Sequence, residues 1–296
     1  MSQLKKPPAC PLCGHEGARQ SWLGSTWYRG REFPYVECTQ CGSLFCDPMP
    51  DEAVLRIMYG PEYTQEDGGF LYVEDPKEPN RVLEILARQQ AGIFVDYGCG
   101  NGELLVEAKR IGWQAFGVEL DAEVAHKTQA NTGCRIFTDP NNAADFPQAD
   151  VLHLGDVIEH LTQLDEQFPE VLELIKPGGL LLAQGPLENN ASLFTFAVAS
   201  ARKLRPSRRT EMAPYHVLLA TSQGQRDFFR RFGLEEVEYK LREVSWPAPV
   251  GLALSDLKNP RTVAMLGLRR LSKAVSALRP SKWGNRYFYA GRKTNS

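Results

Sequence analysis

The chain has 296 residues, with 34 Lys and Arg against 36 Asp and Glu for a formal charge of −2. That length has room for about two domains and a sizeable core, and the ordinary composition is that of a globular protein. No stretch approaches the roughly 20 apolar residues of a membrane span, and Met1 to Pro8 shows no apolar signal region, which predicts a cytoplasmic protein.

In chain order, the first feature is a matched pair of knuckles, Cys10-Pro-Leu-Cys13-Gly and Cys38-Thr-Gln-Cys41-Gly. A C-x-x-C turn presents two thiolates from one tight loop, and the following glycine lets the chain reverse. Two such loops supply the four soft ligands of a tetrahedral Zn²⁺, so Cys10, Cys13, Cys38 and Cys41 are the predicted metal ligands. Cys46, Cys99 and Cys134 remain as an odd set, which argues against a disulfide framework and for a reducing compartment. Residues 1–50 read as a zinc ribbon, with short strands at Phe33 to Val36 and Ser43 to Phe45. Residues 51–90 read as linker and lid helices, carrying Tyr59, Tyr63, Phe70 and Tyr72 and ending in the helically spaced run Arg81 to Arg88.

From residue 91 strands and helices alternate, the pattern of βαβ units on a parallel sheet. Strands are expected at Ile93 to Asp96, Gln114 to Leu120, Arg135 to Thr138, Val151 to Gly155 and Leu180 to Gln184. Helices are expected at Glu103 to Ile111, after the capping residue Asp121, and through Leu172 to Ile175. A helix at Ser222 to Phe232, closed by Gly233, and strands at Leu234 to Leu241 and Arg286 to Ala290 complete the domain. Between the last two strands, 247–283 is a basic helical insertion with an apolar stripe at Val263, Leu266, Leu268, Leu271, Val275 and Leu278. It can pack as core, clamp a diphosphate or rest on a membrane, in that order of preference. A second basic run, Arg202 to Arg209, follows the segment Ser192 to Val198. Such runs attract phosphate or anionic lipid, or form a solvated face.

The turn Asp96-Tyr-Gly98-Cys-Gly100-Asn-Gly102 joins the first strand of this domain to its helix, which places a ligand at the carboxyl end of a parallel sheet. A dinucleotide fingerprint needs a third small residue where Glu103 stands, so a pyrophosphate would meet a carboxylate there. Glu119, at the end of the second strand, sits where an acid accepts both ribose hydroxyls of a nucleoside.

At these residues the chain resembles the class I S-adenosylmethionine-dependent methyltransferases, from about residue 81 to 293. Gly98, Gly100 and Gly102 match their first motif, Glu119 their ribose acid, Lys176-Pro-Gly-Gly179 the turn before their fifth strand, and Asp156-Val-Ile-Glu-His160 a variant found in small-molecule and sugar-modifying enzymes. The resemblance implies an α/β, Rossmann-like, doubly wound and mostly parallel seven-stranded sheet over 91–296, with 191–220 as a lid segment. It implies S-adenosylmethionine as cofactor: the three glycines would border its methionine moiety, Asp96 would orient the amino group, Leu120 would flank the adenine, and Asp139 or Asp145 would hold the adenine amino group. Asp156 belongs to the same cofactor-side set.

Methyl transfer from a sulfonium needs positioning and removal of a proton from the acceptor. His160, which Glu159 can orient, is the first candidate base and His216 the second. The nucleobase motif Asn/Asp-Pro-Pro-Tyr is absent after the fourth strand, and the chain lacks the additional carboxyl-terminal domain of sugar C-methyltransferases. The expected acceptor is therefore a sugar, nucleotide sugar or glycan precursor, a small molecule able to carry phosphate, methylated on oxygen. RNA is the alternative acceptor, with few basic residues near the knuckles beyond Arg29 and Arg31 to bind it; DNA is not expected. A non-enzymatic scaffold with a vestigial cofactor site is the other alternative, and the intact glycines and Glu119 count against it.

Overall fold

The computed structural model describes residues 8–58, 80–200 except 194, 198 and 199, 210–244 except 212, and 259–294 except 280 and 281. The aromatic segment at 59–79, the run Arg202 to Arg209 and the first part of the 247–283 insertion lie outside the described residues. Contacts divide the chain into two compact units, one of residues 1–74, 186–228 and 240–287, the other of 75–185, 229–239 and 288–296. The ribbon thus shares a unit with two later stretches.

In the ribbon unit, β1 (Ala18–Tyr28), β2 (Arg31–Cys38) and β3 (Leu44–Cys46) form an antiparallel meander. The long first strand was not expected. Its alternation is blurred by a register shift between Gln20 and Ser25 and by Gly24 at φ 69°, a conformation that suits glycine. A short helix, α1 (Glu52–Met58), follows.

The second unit carries the expected α/β pattern. Asn80 caps α2 (Arg81–Leu86) by accepting from Val82 N and Leu83 N. Then come β4 (Ile93–Tyr97), α3 (Glu103–Arg110), β5 (Gln114–Val118), α4 (Ala122–Thr132), β6 (Arg135–Phe137), β7 (Ala149–Gly155), a 3₁₀ turn (Ile158–His160), α5 (Leu164–Glu173) and β8 (Ile175–Pro186). Asp121 caps α4 as expected, accepting from Glu123 N and Val124 N at 2.9 Å. Lys176 to Gly179 lies inside β8, where a turn was expected, and Ile175 belongs to this strand rather than to the preceding helix. Ile175 pairs with Ala149, and the register shift between Ala149 and Val151 absorbs the Pro-Gly-Gly segment as an irregularity of the ladder.

The remaining elements are β9 (Thr210–Glu211), β10 (Leu218–Leu219), α6 (Ser222–Arg231), β11 (Leu234–Arg242), α7 (Pro260–Leu278) and β12 (Arg286–Lys293). The seven-stranded sheet has the order β11-β12-β8-β7-β4-β5-β6, with parallel pairing from β8 through β6. The ribbon sheet has the order β10-β3-β2-β1-β9.

The apolar runs of β4, β7 and β8 are buried on both faces, as a central parallel sheet requires. Phe94, Leu105, Val151, Leu182 and Phe288 form their core with Trp113, whose Nε1 donates to Leu86 O at 3.2 Å. Beside it Phe229 stacks on Tyr289, centroids 3.8 Å apart and planes 10° apart.

The stripe on α7 departs from the core expectation. Val263, Leu271 and Leu278 are exposed, Leu278 by 80%, while Ser272 and Ser276 are the buried positions. These hydroxyls are satisfied by Glu243 Oε1 at 2.7 Å and Trp283 O at 2.8 Å, and Leu266, Leu268 and Val275 of the stripe are half-buried, so the helix packs through hydrogen bonds and only half of its apolar stripe. Among the described residues no helix is long and apolar enough to cross a membrane.

Phe229 is buried to 1% exposure in the aromatic stack. Truncation in Phe229→Ala is expected to cost about 3–5 kcal/mol. Urea titration followed by Tyr and Trp fluorescence checks this as a lowered midpoint relative to the parent chain.

Candidate functional site

The two knuckles repeat one geometry. Gly14 N donates to Cys10 O at 2.8 Å and Gly42 N to Cys38 O at 3.0 Å, with φ of 74° and 73° at the two glycines. Cys10 N donates to His15 O and Cys38 N to Ser43 O, both at 2.9 Å. The result is four Sγ atoms within 4.8 Å of one another, Cys10 to Cys41 at 3.7 Å and Cys13 to Cys38 at 3.5 Å. Zn–S bonds of about 2.3 Å in a tetrahedron put sulfurs roughly 3.8 Å apart, so the spacing fits that ion. His15 Nε2 lies 3.0 Å from Thr39 Oγ1, outside the cluster.

Thiols this close compete for protons. The Cys10 thiol is driven far above its usual range by its hydrogen bond to Cys41 and by burial, and burial pushes Cys13 up to about 12. The hydrogen bond from Cys10 holds Cys41 down at about 5. One thiolate forms at its neighbours' expense, and a cation that binds all four resolves the competition.

At the carboxyl end of β4, the turn to α3 has Gly98, Gly100 and Gly102 at φ of 78°, 49° and 76°. A side chain at Gly102 would meet the Thr128 and Thr132 methyls at 2.7 Å, whereas a Cβ at Gly100 meets nothing within 4 Å. The turn is therefore packed on one side and open at its middle, where backbone can meet a ligand. Glu119 follows β5, with Oε2 accepting from Gly100 N at 3.2 Å and Oε1 from Asp121 N at 3.1 Å. Leu120 is 71% exposed next to it. The glycines, Glu119 and Leu120 thus lie together at the carboxyl edge of the sheet.

Of the adenine candidates, Asp145 is taken by a bidentate ion pair with Arg135, which holds its carboxyl below the usual range. Asp139, also exposed, accepts from Asn142 N at 3.3 Å. Asp156 has φ 53° and donates its N–H to Gln184 O at 2.9 Å, so it holds a strained turn where β7 meets β8.

Asp96 is buried and its Oδ1 lies 2.7 Å from His153 Nδ1. Sequence reasoning missed His153; its signal is a histidine inside the apolar strand Val-Leu-His-Leu, one strand over from the acid and in register with it. Burial also pushes the Cys99 thiol, inside the turn, well up, which leaves it protonated. Glu159 is buried and His160 half-buried on the 3₁₀ turn after β7. In the ribbon unit, His216 Nδ1 lies 2.9 Å from Glu188 Oε2, a carboxylate partner the sequence reading did not single out. A cavity of about 510 Å³ lies at the opposite, amino end of the sheet, where Lys176 pairs with Asp150 and Arg292 donates to Gly178 O.

A family model described as a methyltransferase domain matches residues 72–238. The chain is 32% identical over 118 residues to the ribosomal protein L11 methyltransferase of Haemophilus ducreyi, covering 38% of this chain and 40% of that one. It is 27% identical over 130 residues to the ubiquinone biosynthesis O-methyltransferase of Proteus mirabilis, covering 40% and 53%. This chain therefore spans about two fifths and about half of these curated relatives. A solved S-adenosylmethionine-dependent methyltransferase from Methanosarcina mazei aligns with TM-score 0.49 and 11% identity over 74% of this chain and 100% of that one.

The thiol cluster generates a direct expectation. Protein purified without chelator should hold one zinc per chain by elemental analysis, and Cys38→Ser should lose it and unfold the ribbon, since structural zinc supplies on the order of 10 kcal/mol to small modules.

Proposed function

Because the chain belongs to the methyltransferase-domain family, we propose that it transfers the methyl group of S-adenosylmethionine to an oxygen of a sugar, nucleotide sugar or glycan precursor, with a structural zinc in its ribbon. The observation that carries the donor half is the open glycine turn facing Glu119. Bound cofactor supplies an electrophile that is already activated, so these residues only hold it: the turn through close approach at Gly100, where no Cβ stands in the way, and Glu119 through the ribose hydroxyls. Two carboxylate acceptor bonds to a sugar diol are charge-assisted and carry most of that recognition. Asp156 and Asp139 lie on loops that follow the strands of the same sheet.

For the acceptor half, a hydroxyl must lose its proton as its oxygen attacks carbon, and the lost sulfonium leaves as a neutral thioether. His160 or His216 takes that proton, and a positioned base contributes about 10²–10⁴ in rate. The name of the ubiquinone-pathway relative supports an oxygen acceptor, and those of the ribosomal protein L11 enzymes make a protein acceptor the rival. Exposed Arg270 and Lys273 on α7 favour an acceptor that carries phosphate.

Removing the carboxylate in Glu119→Ala should weaken S-adenosylhomocysteine binding by about 1.5–3 kcal/mol, roughly tenfold to hundredfold, with NAD binding neither protein. Calorimetry reads this, and wild-type affinity in the variant would refute the site. For the acceptor, labelled cofactor is offered with nucleotide sugars, lipid-linked glycans, total RNA and ribosomal protein. Label confined to RNA or protein ends the sugar reading. In the same assay His160→Ala is expected to lower turnover by about 10²–10⁴ with cofactor affinity little changed if His160 is the base; loss confined to His216→Ala assigns the proton to His216.

A further inference from the structure

His153 stands on β7 directly beside Asp96 of β4, the two being register partners in the parallel ladder. Its Nδ1 lies 2.7 Å from Asp96 Oδ1, and the two side chains are 5% and 7% exposed. On the other flank of Asp96 the register partner is Gly117 of β5, which offers no side chain. A Cβ there would come within 2.6 Å of Cys99 Sγ, so the thiol of the glycine turn fills that space. Among the described residues, His153 is therefore the one side chain that hydrogen-bonds this buried carboxylate.

The strand makes room for the imidazole at a cost. A Cβ at Gly155, two residues on and on the same face of β7, would stand 2.7 Å from His153 Cε1. Nε2 is buried with no hydrogen-bond partner among the described residues, in a strand whose neighbouring residues are Val151, Leu152 and Leu154. An aliphatic residue would pack here without an orphaned polar atom. Packing thus does not account for a histidine, and the bond to Asp96 does.

That bond has a direction. An ionised carboxylate accepts and cannot donate, so Nδ1 carries the proton and Oδ1 is the acceptor. A second acid, Glu119, flanks the same turn: burial first, and then the fields of Asp96 and Glu119, push the Cys99 thiol up. No Lys or Arg pairs with either acid among the described residues. A turn between two uncompensated carboxylates suits a ligand that brings positive charge.

We propose that His153 is a positioning residue for Asp96: its Nδ1–H ties down Oδ1, so that Oδ2 is held for the ammonium group of the cofactor's amino-acid portion. The inference rests on the S-adenosylmethionine reading above and adds to it a residue of the sheet interior that meets no ligand itself. His153 acts through Asp96 alone, and Glu119 holds the ribose independently of it.

The test uses the full chain and two probes read by calorimetry. S-adenosylhomocysteine carries the ammonium, whereas 5′-methylthioadenosine keeps the adenosine and thioether but lacks the amino-acid portion. The parent should bind both. His153→Leu should weaken S-adenosylhomocysteine roughly 5- to 30-fold, the effect of loosening one charged hydrogen bond, and leave methylthioadenosine within about twofold. A merely structural defect would weaken both alike. Asp96→Asn should show the same selectivity, and adding His153→Leu to it should weaken binding no further, because residues acting through one contact do not add. His153→Asn, whose N–H stands where Nδ1 was, should keep the parent affinity within about threefold, while His153→Gln, whose N–H stands where Nε2 was, should behave as the leucine variant does. That pair makes the same comparison should His153→Leu not fold. In the ¹⁵N-histidine spectrum of the parent, the His153 signals, assigned by their loss in His153→Asn, should show Nδ1 protonated.

The proposal is overturned if His153→Leu or His153→Gln weakens both probes alike or neither, if the two substitutions add, or if Nδ1 is bare in the parent. A parent that binds neither probe overturns the S-adenosylmethionine reading, and this one falls with it. A parent that binds both probes while the variants break the pattern overturns this one alone.

Discussion

Four sulfurs within 4.8 Å are the constraint on which the ribbon unit depends. Neutral thiols at that distance have little to hold them, and thiolates repel, so the knuckle geometry is cheap only around a cation. The second knuckle in turn carries more than its share of structure. Gly42 O, Cys41 O and Ser43 Oγ all receive hydrogen bonds from residues 189 and 221. A module of about 40 residues rarely buries enough apolar surface to fold alone, and here it is completed by borrowed chain, with four thiols placed where a cation would close it.

The second unit obeys a different economy. Its strands are apolar on both faces and its carboxyl edge is built from three glycines at positive φ, one acid after β5, and strand ends set in register by parallel pairing. Such an edge tolerates no Cβ at Gly102, yet leaves Gly100 open. The asymmetry between a packed glycine and an open one separates the fold requirement from the ligand requirement within a single turn.

Much of this was legible in the sequence because it is written in short-range signals. The knuckles, the glycine turn, Asp121 as a cap and the order of strands from Ile93 to Gly155 need only neighbours in sequence. What escaped was long-range. Ala18–Tyr28 alternates poorly because its register slips at Gly24, and Lys176 to Gly179 resembles a turn although the partner strand accommodates it. No local pattern marks Glu188, whose partner is 28 residues away, and His153, though conspicuous in an apolar strand, gains its partner only 57 residues away. The α7 stripe misled for a related reason: an apolar period says which face is greasy, not which face the neighbouring chain offers hydrogen-bond acceptors to.

The interleaving of the ribbon unit has a consequence for its birth on the ribosome. Tyr35 meets His216, and Ser43 meets Thr221, across 181 and 178 residues. At 5–20 residues per second, roughly 10–40 s of synthesis separates the second knuckle from the segment that completes it. The four thiols themselves lie within a span of 31 residues, so a metal can close that loop as soon as it emerges. Metal capture early in translation would then keep a half-finished sheet, with the open edge of β3 awaiting Leu218 and Leu219, from pairing with strands of other nascent chains.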